Sequence, residues 1–306
     1  MSFASLTRRA ALAATALATL AAFSGPAAAD WRDEFDQIRL GTAASEVDDD
    51  TLNALEGLAG YLTDRLGIEV VIRQATDYAA VTEALRAGNL EFTRMGGANY
   101  ALARRIMGDR VEPLVLDVVN GGRGYSSVVL VPSDSAAESI EDLDGASFAF
   151  VDPNSTSGYA APNFFLSQAG IDPEEHFGEI IFAGSHDNAV IGLVNDQFDA
   201  AATYEFTPDN SAVSRLAERE MIEGDEVRKI WTSPLMANPL WVGRTDLPDD
   251  LTEAFVTALL EVEQDAPEVW EVLRQGRLSG YARTAHEEYV PIIEMTEWNR
   301  AQRRGE

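Results

Sequence analysis

Apolar positions along this chain recur at two spacings, and their alternation predicts its architecture. Leu52, Leu55, Leu58, Leu62 and Leu66 repeat every three or four residues, as on a helix buried along one face. Asp50 is the expected cap of that helix and Gly67 its stop. Short apolar runs flank it, Gln37 to Thr42 before and Ile68 to Ile72 after. Asp77 then caps a predicted helix from Tyr78 to Ala87, closed by Gly88 and Asn89. A strand from Leu90 to Met95, a helix from Asn99 to Met107 and a strand from Leu114 to Val119 continue the pattern. Strands and helices of this length in alternation predict an α/β fold built from parallel β–α–β units.

The pattern breaks at Gly121-Gly122-Arg123-Gly124, where three glycines in four residues mark a link. It resumes with strands at Tyr125 to Val131, Ser147 to Val151, Ile180 to Ala183, Asp199 to Thr203 and Val227 to Trp231. Helices are expected at about 158–168, 186–195 and 211–219, with a short one at Ser139 to Leu143. Ser233-Pro234 and Asn238-Pro239 form a second break. A strand at Leu240 to Val242, an amphipathic helix from Asp250 to Val262 and two further helical segments end the chain. If the chain crosses a hinge at both breaks, it makes two lobes. Residues 30–124 with 235–306 form the first, and 125–234 the second.

One stretch sits where a predicted strand meets a predicted helix: Asp152-Pro153-Asn154-Ser155-Thr156-Ser157-Gly158-Tyr159. The first amides of a helix lack partners within it and carry partial positive charge. Ser155 or Thr156 can simply cap them. Equally, the amides and hydroxyls together can hold an oxyanion. In open α/β sheets ligands bind beyond the carboxyl ends of strands. Thr42 and Ser45, Thr76-Asp77-Tyr78 and Ser185-His186 occupy comparable positions. A cleft lined this way suits a small anion, although Thr42 and Ser45 taken singly are ordinary loop residues. His186 is either structural or a neutral donor, since a helix start disfavours imidazolium. Tyr78 and Tyr125, judged as residues alone, are packing residues.

Composition narrows the function. Residues 1–29 read as a signal peptide: Arg8-Arg9, an apolar run from Ala10 to Phe23, then Ala27-Ala28-Ala29 before Asp30. The arginine pair also fits a twin-arginine signal. There is no cysteine, hence no disulfide and no lipid-anchor cysteine. A free periplasmic protein, monomeric, is expected. Net charge is −28, and Lys229 is the only lysine. Nucleic acid is not expected as a partner, because its phosphates need a basic face. An anionic ligand would approach against the global field, so local dipoles and hydrogen bonds must hold it. Asp48-Asp49-Asp50 reads as a solvated helix start. No Gly-x-Ser-x-Gly, His-Glu-x-x-His or Gly-rich Lys-Ser/Thr loop occurs, and His176, His186 and His286 lack metal-cluster spacing. No cofactor, metal or catalytic set is expected. A serine hydrolase using Ser155 or Ser157 with His186 is the enzymatic alternative.

The stretch Phe150-Val151-Asp152-Pro153-Asn154-Ser155-Thr156-Ser157-Gly158-Tyr159 resembles the signature of PhnD-like phosphonate/phosphite-binding periplasmic proteins of ABC transporters. Ala75-Thr76-Asp77-Tyr78, Gly124-Tyr125-Ser126-Ser127, Gly184-Ser185-His186-Asp187-Asn188 and Ser233-Pro234-Leu235 follow that family's order. The resemblance implies a type II periplasmic-binding fold, two α/β lobes with the ligand cleft between them. It implies that Ser155, Thr156 and Ser157 hold a phosphorus oxyanion, that Tyr78, Tyr125 and His186 close around it, and that an inner-membrane permease receives it. Another small organic anion is the alternative cargo.

Departures from the family bear on the ligand. Met95-Gly96-Gly97-Ala98-Asn99-Tyr100 replaces an aromatic-Gly-Pro or aromatic-Gly-Asn turn. Arg94 stands where an apolar or aromatic residue is usual; it either brings a cation to the cleft or points outward. Asn238 takes the place of an acid that pairs the amine of 2-aminoethylphosphonate, and Glu205 lies near the other such acid. Losing a carboxylate removes a charge-assisted bond. Phosphite or a phosphonate without that amine is therefore expected.

Overall fold

Ile38 and Leu40 are fully buried on β1 (Ile38–Ala43), the central strand of a parallel trio. It pairs with β2 (Val70–Ala75) on one side and β3 (Phe92–Met95) on the other. The computed structural model describes residues 30–44, 47, 49–274 and 278–304. The leader at 1–29 and Ser45 lie outside the described residues. Met1–Phe35 and Asp36–Glu306 are separate units. In the first, the Asp30 carboxylate accepts from Arg32 N and caps a 3-10 turn, Trp31–Glu34. Both sheets belong to the second.

Helices α1 (Asp49–Leu66), α2 (Tyr78–Arg86) and α3 (Gly97–Met107) connect and follow the parallel trio. On α1 the buried positions include Leu55, Leu58, Leu62 and Leu66, as the leucine spacing predicts. The Asp77 carboxylate accepts from Ala80 N at 2.8 Å and caps α2. After β4 (Val111–Val119) the chain leaves this sheet. The second sheet begins with β5 (Gly124–Pro132) and β6 (Ser147–Phe150). It continues through α4 (Ala161–Gln168), α5 (Pro173–His176), β7 (Glu179–Phe182), α6 (His186–Val194) and β8 (Ala200–Thr207). A two-residue β9 (Asn210–Ser211), α7 (Ala212–Glu218) and β10 (Val227–Thr232) complete it.

The chain returns through β11 (Met236–Ala237) to β12 (Leu240–Arg244), then α8 (Asp249–Asp265) and α9 (Pro267–Leu273). β13 (Leu278–Arg283) and α10 (His286–Arg304) finish the described chain. The first sheet has the order β13-β4-β12-β3-β1-β2, the second β10-β5-β8-β6-β7. Neither sheet is wholly parallel: β12 runs antiparallel to β3 and β4, and β5 antiparallel to β8 and β10. The two helical segments expected after Val262 are α9 and α10, and β13 is a strand between them that the sequence did not signal. Leu278-Ser279-Gly280-Tyr281 lacks an apolar run, and only its place on the edge beside β4 makes it a strand.

Two connections join the sheets, Asn120–Arg123 between β4 and β5 and Ser233–Pro239 between β10 and β12. Asn238, fully buried, ties them together. Its Nδ2 donates to the carbonyls of Asp117 (2.9 Å) and Gly122 (3.0 Å), and its own carbonyl accepts from the Tyr289 hydroxyl (2.8 Å). Helix α10 touches both sheet systems. Tyr289 and Ile292 pack with the α3 cluster, whereas Asn299 Nδ2 donates to Ala160 O and its Oδ1 accepts from Asn163 on α4.

Charge enters the first sheet in pairs. Arg94 on β3 donates through Nε and Nη2 to one oxygen of Asp117 on β4, at 2.9 and 2.5 Å. Burial pushes the Asp117 carboxyl up, and Arg94 partly offsets this. Removing one member of such a pair leaves a buried charge without its partner. Arg94→Met is expected to cost about 3 kcal/mol in urea unfolding. Arg94→Met with Asp117→Leu should recover most of it, and an equal loss in both variants would exclude the pair as the cause.

Candidate anion-binding site

The Ser155 turn forms at the carboxyl end of β6. Asp152 Oδ1 accepts from Asn154 N at 2.7 Å and fixes the entry. Ser155 Oγ accepts from Gly158 N at 3.1 Å, so Ser155 is the cap that its residue type allows. Residues Thr156–Ala160 then make one wide π turn, with Ala160 N donating to Ser155 O at 2.9 Å, before α4 begins. π turns are rare and often sit at functional sites. Gly158 is required by close approach: a Cβ there would lie 2.4 Å from Val151 Cβ. Ser155, Thr156 and Ser157 are all buried.

Thr156 reaches out of its own turn. Its Oγ1 accepts from Ala98 N at 2.8 Å, the second residue of α3. Gly96 before α3 has no side chain to cap it, so Thr156 supplies the missing acceptor. A Cβ on Gly96 would come within 3.1 Å of that hydroxyl, and one on Gly97 within 2.6 Å of Ile292. The Met95-Gly96-Gly97 departure thus lets the start of α3 lie against both Thr156 and α10. Next to it, Asn99 Oδ1 accepts from Thr82 Oγ1 at 2.8 Å, and the same hydroxyl contacts Tyr78 O at 3.2 Å. Tyr78, the first residue of α2, is buried and joined to the start of α3 through this chain. Asn99 Nδ2 is buried with no partner among the described residues.

On the second sheet, Ser127 Oγ donates to Ser157 O at 2.6 Å, and Ser127 N donates to Ser233 Oγ at 2.9 Å. Ser157 is thereby fixed to both the strand β5 and the second connection. Tyr125, at the start of β5, stacks on Phe206 with centroids 5.1 Å apart. Phe206 meets Tyr204, and Tyr204 meets the edge of His186 at 4.9 Å. His186 opens α6, capped by Ser185, and its Nδ1 bonds Thr203 Oγ1 at 2.9 Å. Burial, helped by the Arg215 charge, pulls its pKa down to about 3. His186 is therefore a neutral imidazole. Asp187 beside it is neutralised by Arg215 and Arg219.

The other expected residues have different occupations. Arg94 is engaged by Asp117. Glu205 pairs with Lys229, the only lysine, at 2.5 Å. Asn238 braces the connections, with its Oδ1 buried and unpartnered among the described residues. Thr42 is buried at the end of β1. Thr82, Asn99, Ser127, Thr203 and Ser233 carry no local signal of a part in the site. All five are buried polar residues inside predicted elements or at a break, and only their pairing across elements distinguishes them.

The model of the family described as ABC transporter, phosphonate, periplasmic substrate-binding protein matches residues 40–289. The chain belongs to that family. It is 27% identical to the phosphate-import protein PhnD of Mycolicibacterium smegmatis over 72% of this chain and 70% of that one. It is 28% identical to a probable ABC transporter phosphite-binding protein of Prochlorococcus marinus, over 66% and 67% of the two chains. The structure of a Prochlorococcus marinus PhnD1 in complex with methylphosphonate superposes with a TM-score of 0.72, at 21% identity, covering 87% of this chain and 98% of that one. The two sheets with their helices are the two α/β lobes of a type II periplasmic binding protein.

Two outcomes test the local geometry. Gly158→Ala should displace Val151 or break the Ser155 cap, lowering stability by about 1–3 kcal/mol in thermal or urea unfolding. For His186 the unfolded chain binds a proton near pH 6.5 and the folded chain only near pH 3. Stability should therefore fall as pH drops from about 6.5 toward 3, by at most ~1.4 kcal/mol per pH unit from this residue. His186→Gln should show a shallower slope in that window; an unchanged slope would exclude a depressed His186.

Proposed function

We propose that this binding protein captures a tetrahedral phosphorus oxyanion, phosphite or a simple phosphonate, between its lobes and delivers it to an ABC permease in the inner membrane. The observation that carries the reading is the meeting of two helix starts at Thr156, one from each sheet. Both present amide donors and partial positive charge to the same small volume. In this reading Ser155, Thr156 and Ser157 hold the oxygens, with Tyr78, Tyr125, His186 and Asn99 around them. Ser157 Oγ has no hydrogen-bond partner among the described residues, which leaves it available to a ligand. Thr156 exchanges Ala98 N for a ligand oxygen, or shares both, as the lobes move about their two connections.

Neutral donors suit this chain. Its charge of −28 opposes an approaching anion, while Asp187 and Glu205 beside the site are each paired with a cation. Burial raises the Asp152 carboxyl, partly offset by its hydrogen bonds from Asn154, with a smaller upward push from Asp77. The reading as a binder is supported over a hydrolase because His186 bonds Thr203 and Ser155 Oγ serves Gly158 N. A base directed at a serine would have been needed. Export by the leader at 1–29 completes the proposal. Arg94, Glu205 and Asn238 act indirectly here, by holding the first sheet, Lys229 and the connections.

The names of relatives supply the panel: phosphate, phosphite and methylphosphonate, with 2-aminoethylphosphonate and sulfate added. At a ligand concentration 100 times its Kd, stabilisation of about 2.7 kcal/mol is expected from the preferred anion. Glu205 is neutralised and Asn238 is uncharged, so 2-aminoethylphosphonate should gain nothing over methylphosphonate. Ser157→Ala should weaken the preferred anion by about 1.5–3 kcal/mol in calorimetry, with little change in the unliganded melting temperature. No shift with any phosphorus anion would overturn the proposal.

A further inference from the structure

A groove of about 280 Å³ lies between α3, α10 and the Pro153-Asn154 loop. Four arginines line it, Arg104 and Arg105 from α3 and Arg300 and Arg303 from α10, together with His286. Its one acidic lining residue is Glu297. Ser155, Thr156, Ser157, His186, Tyr78 and Tyr125 are absent from its walls, so it is distinct from the site between the helix starts.

The concentration of charge is unexpected in this chain, which has 51 acids against 23 bases. Elsewhere Arg39, Arg65, Arg86, Arg94, Arg123, Arg215, Arg244 and Arg283 each meet a carboxylate. Arg105, Arg300 and Arg303 have no carboxylate partner among the described residues. Arg303 lies over the Tyr159 ring at 5.4 Å, and Arg104 is held by Asp109 and by the carbonyls of Gly108 and Val111. Burial, then the charges of Arg300 and Arg304, lower the Arg105 guanidinium from its usual value. With Arg104 paired to Asp109 and Glu297 the one acid in the lining, Arg105, Arg300 and Arg303 still leave a net positive local field.

We propose that this groove is a second anion site, selective for a small oxyanion with two or more charges, of the diphosphate type. Guanidinium forks bind phosphoryl oxygens in pairs, and facing arginines from two helices can each take one phosphoryl group. The volume is just below the ~300–1,000 Å³ of ordinary ligand pockets, which fits a compact ligand. At physiological ionic strength the Debye length is about 8 Å, so the groove's own arginines outweigh the distant acids. The groove adjoins the first site at Ala98, Asn154 and Ala160 but takes its charge from different residues.

The test uses the mature chain, inorganic pyrophosphate and calorimetry. Pyrophosphate should bind one per chain even when the preferred anion of the panel saturates the first site. Arg300→Gln with Arg303→Gln should weaken pyrophosphate at least tenfold and leave the panel anion within twofold. Arg105→Gln, which leaves α10 untouched, should weaken it as well, guarding against misfolding of the double variant. Ser157→Ala should leave pyrophosphate unchanged, so failure of the first site does not disguise failure of this one. Absence of pyrophosphate binding, or equal binding by all arginine variants, would overturn the proposal and leave the arginines to a protein partner.

Discussion

The buried hydrogen bond from Ala98 N to Thr156 Oγ1 joins two helix starts, one from each sheet system. Each helix start has amides with no intrahelical acceptor, and burying them unmet is costly. Around this contact the neighbouring constraints fall into place. Gly96 and Gly97 are small because Thr156 and Ile292 occupy the space a side chain would need. Gly158 is small because Val151 does. Ser127 and Ser233 anchor the Ser157 end of the turn, and Asn299 anchors Ala160. The turn is thus held from outside at Thr156, Ser157 and Ala160.

That arrangement answers an electrostatic problem. A protein of net charge −28 cannot attract an anion by its overall field, and it has one lysine, which Glu205 uses. Oriented amides and hydroxyls act at short range and bring no countercharge to desolvate. A neutral His186 fits the same logic, since an imidazolium would need burial of a full charge. Keeping Asp187 and Glu205 paired prevents them from opposing an anion nearby.

Arginine has two uses in this fold. Arg39 and Arg94 sit in the first sheet and neutralise the buried carboxylates Glu91 and Asp117. Arg105 of α3 and Arg300 and Arg303 of α10 pair with no carboxylate among the described residues and face a groove. The difference between the two is one of placement across elements, because α3 and α10 are far apart in the chain and adjacent in space.

Much of this was legible in the residues themselves. The leucine repeat of α1, the Asp77 cap, and the Gly121–Gly124 and Ser233–Pro239 breaks are local signals, set by backbone preference and side-chain period. Ser155 as a cap and His186 as a neutral group at a helix start follow from the same local physics. The order of the blocks that resemble PhnD-like proteins added the family. The strand β13 was not legible, since an edge strand of six mixed residues exists only by pairing with β4. Nor were the roles of Arg94, Glu205 and Asn238, whose partners lie across the fold at Asp117, Lys229 and Gly122. The sequence alone determined which segments would be helices and where neutral donors gather. The tertiary structure decided which donors meet, because hydrogen bonds and ion pairs between distant residues depend on distances that no local pattern encodes.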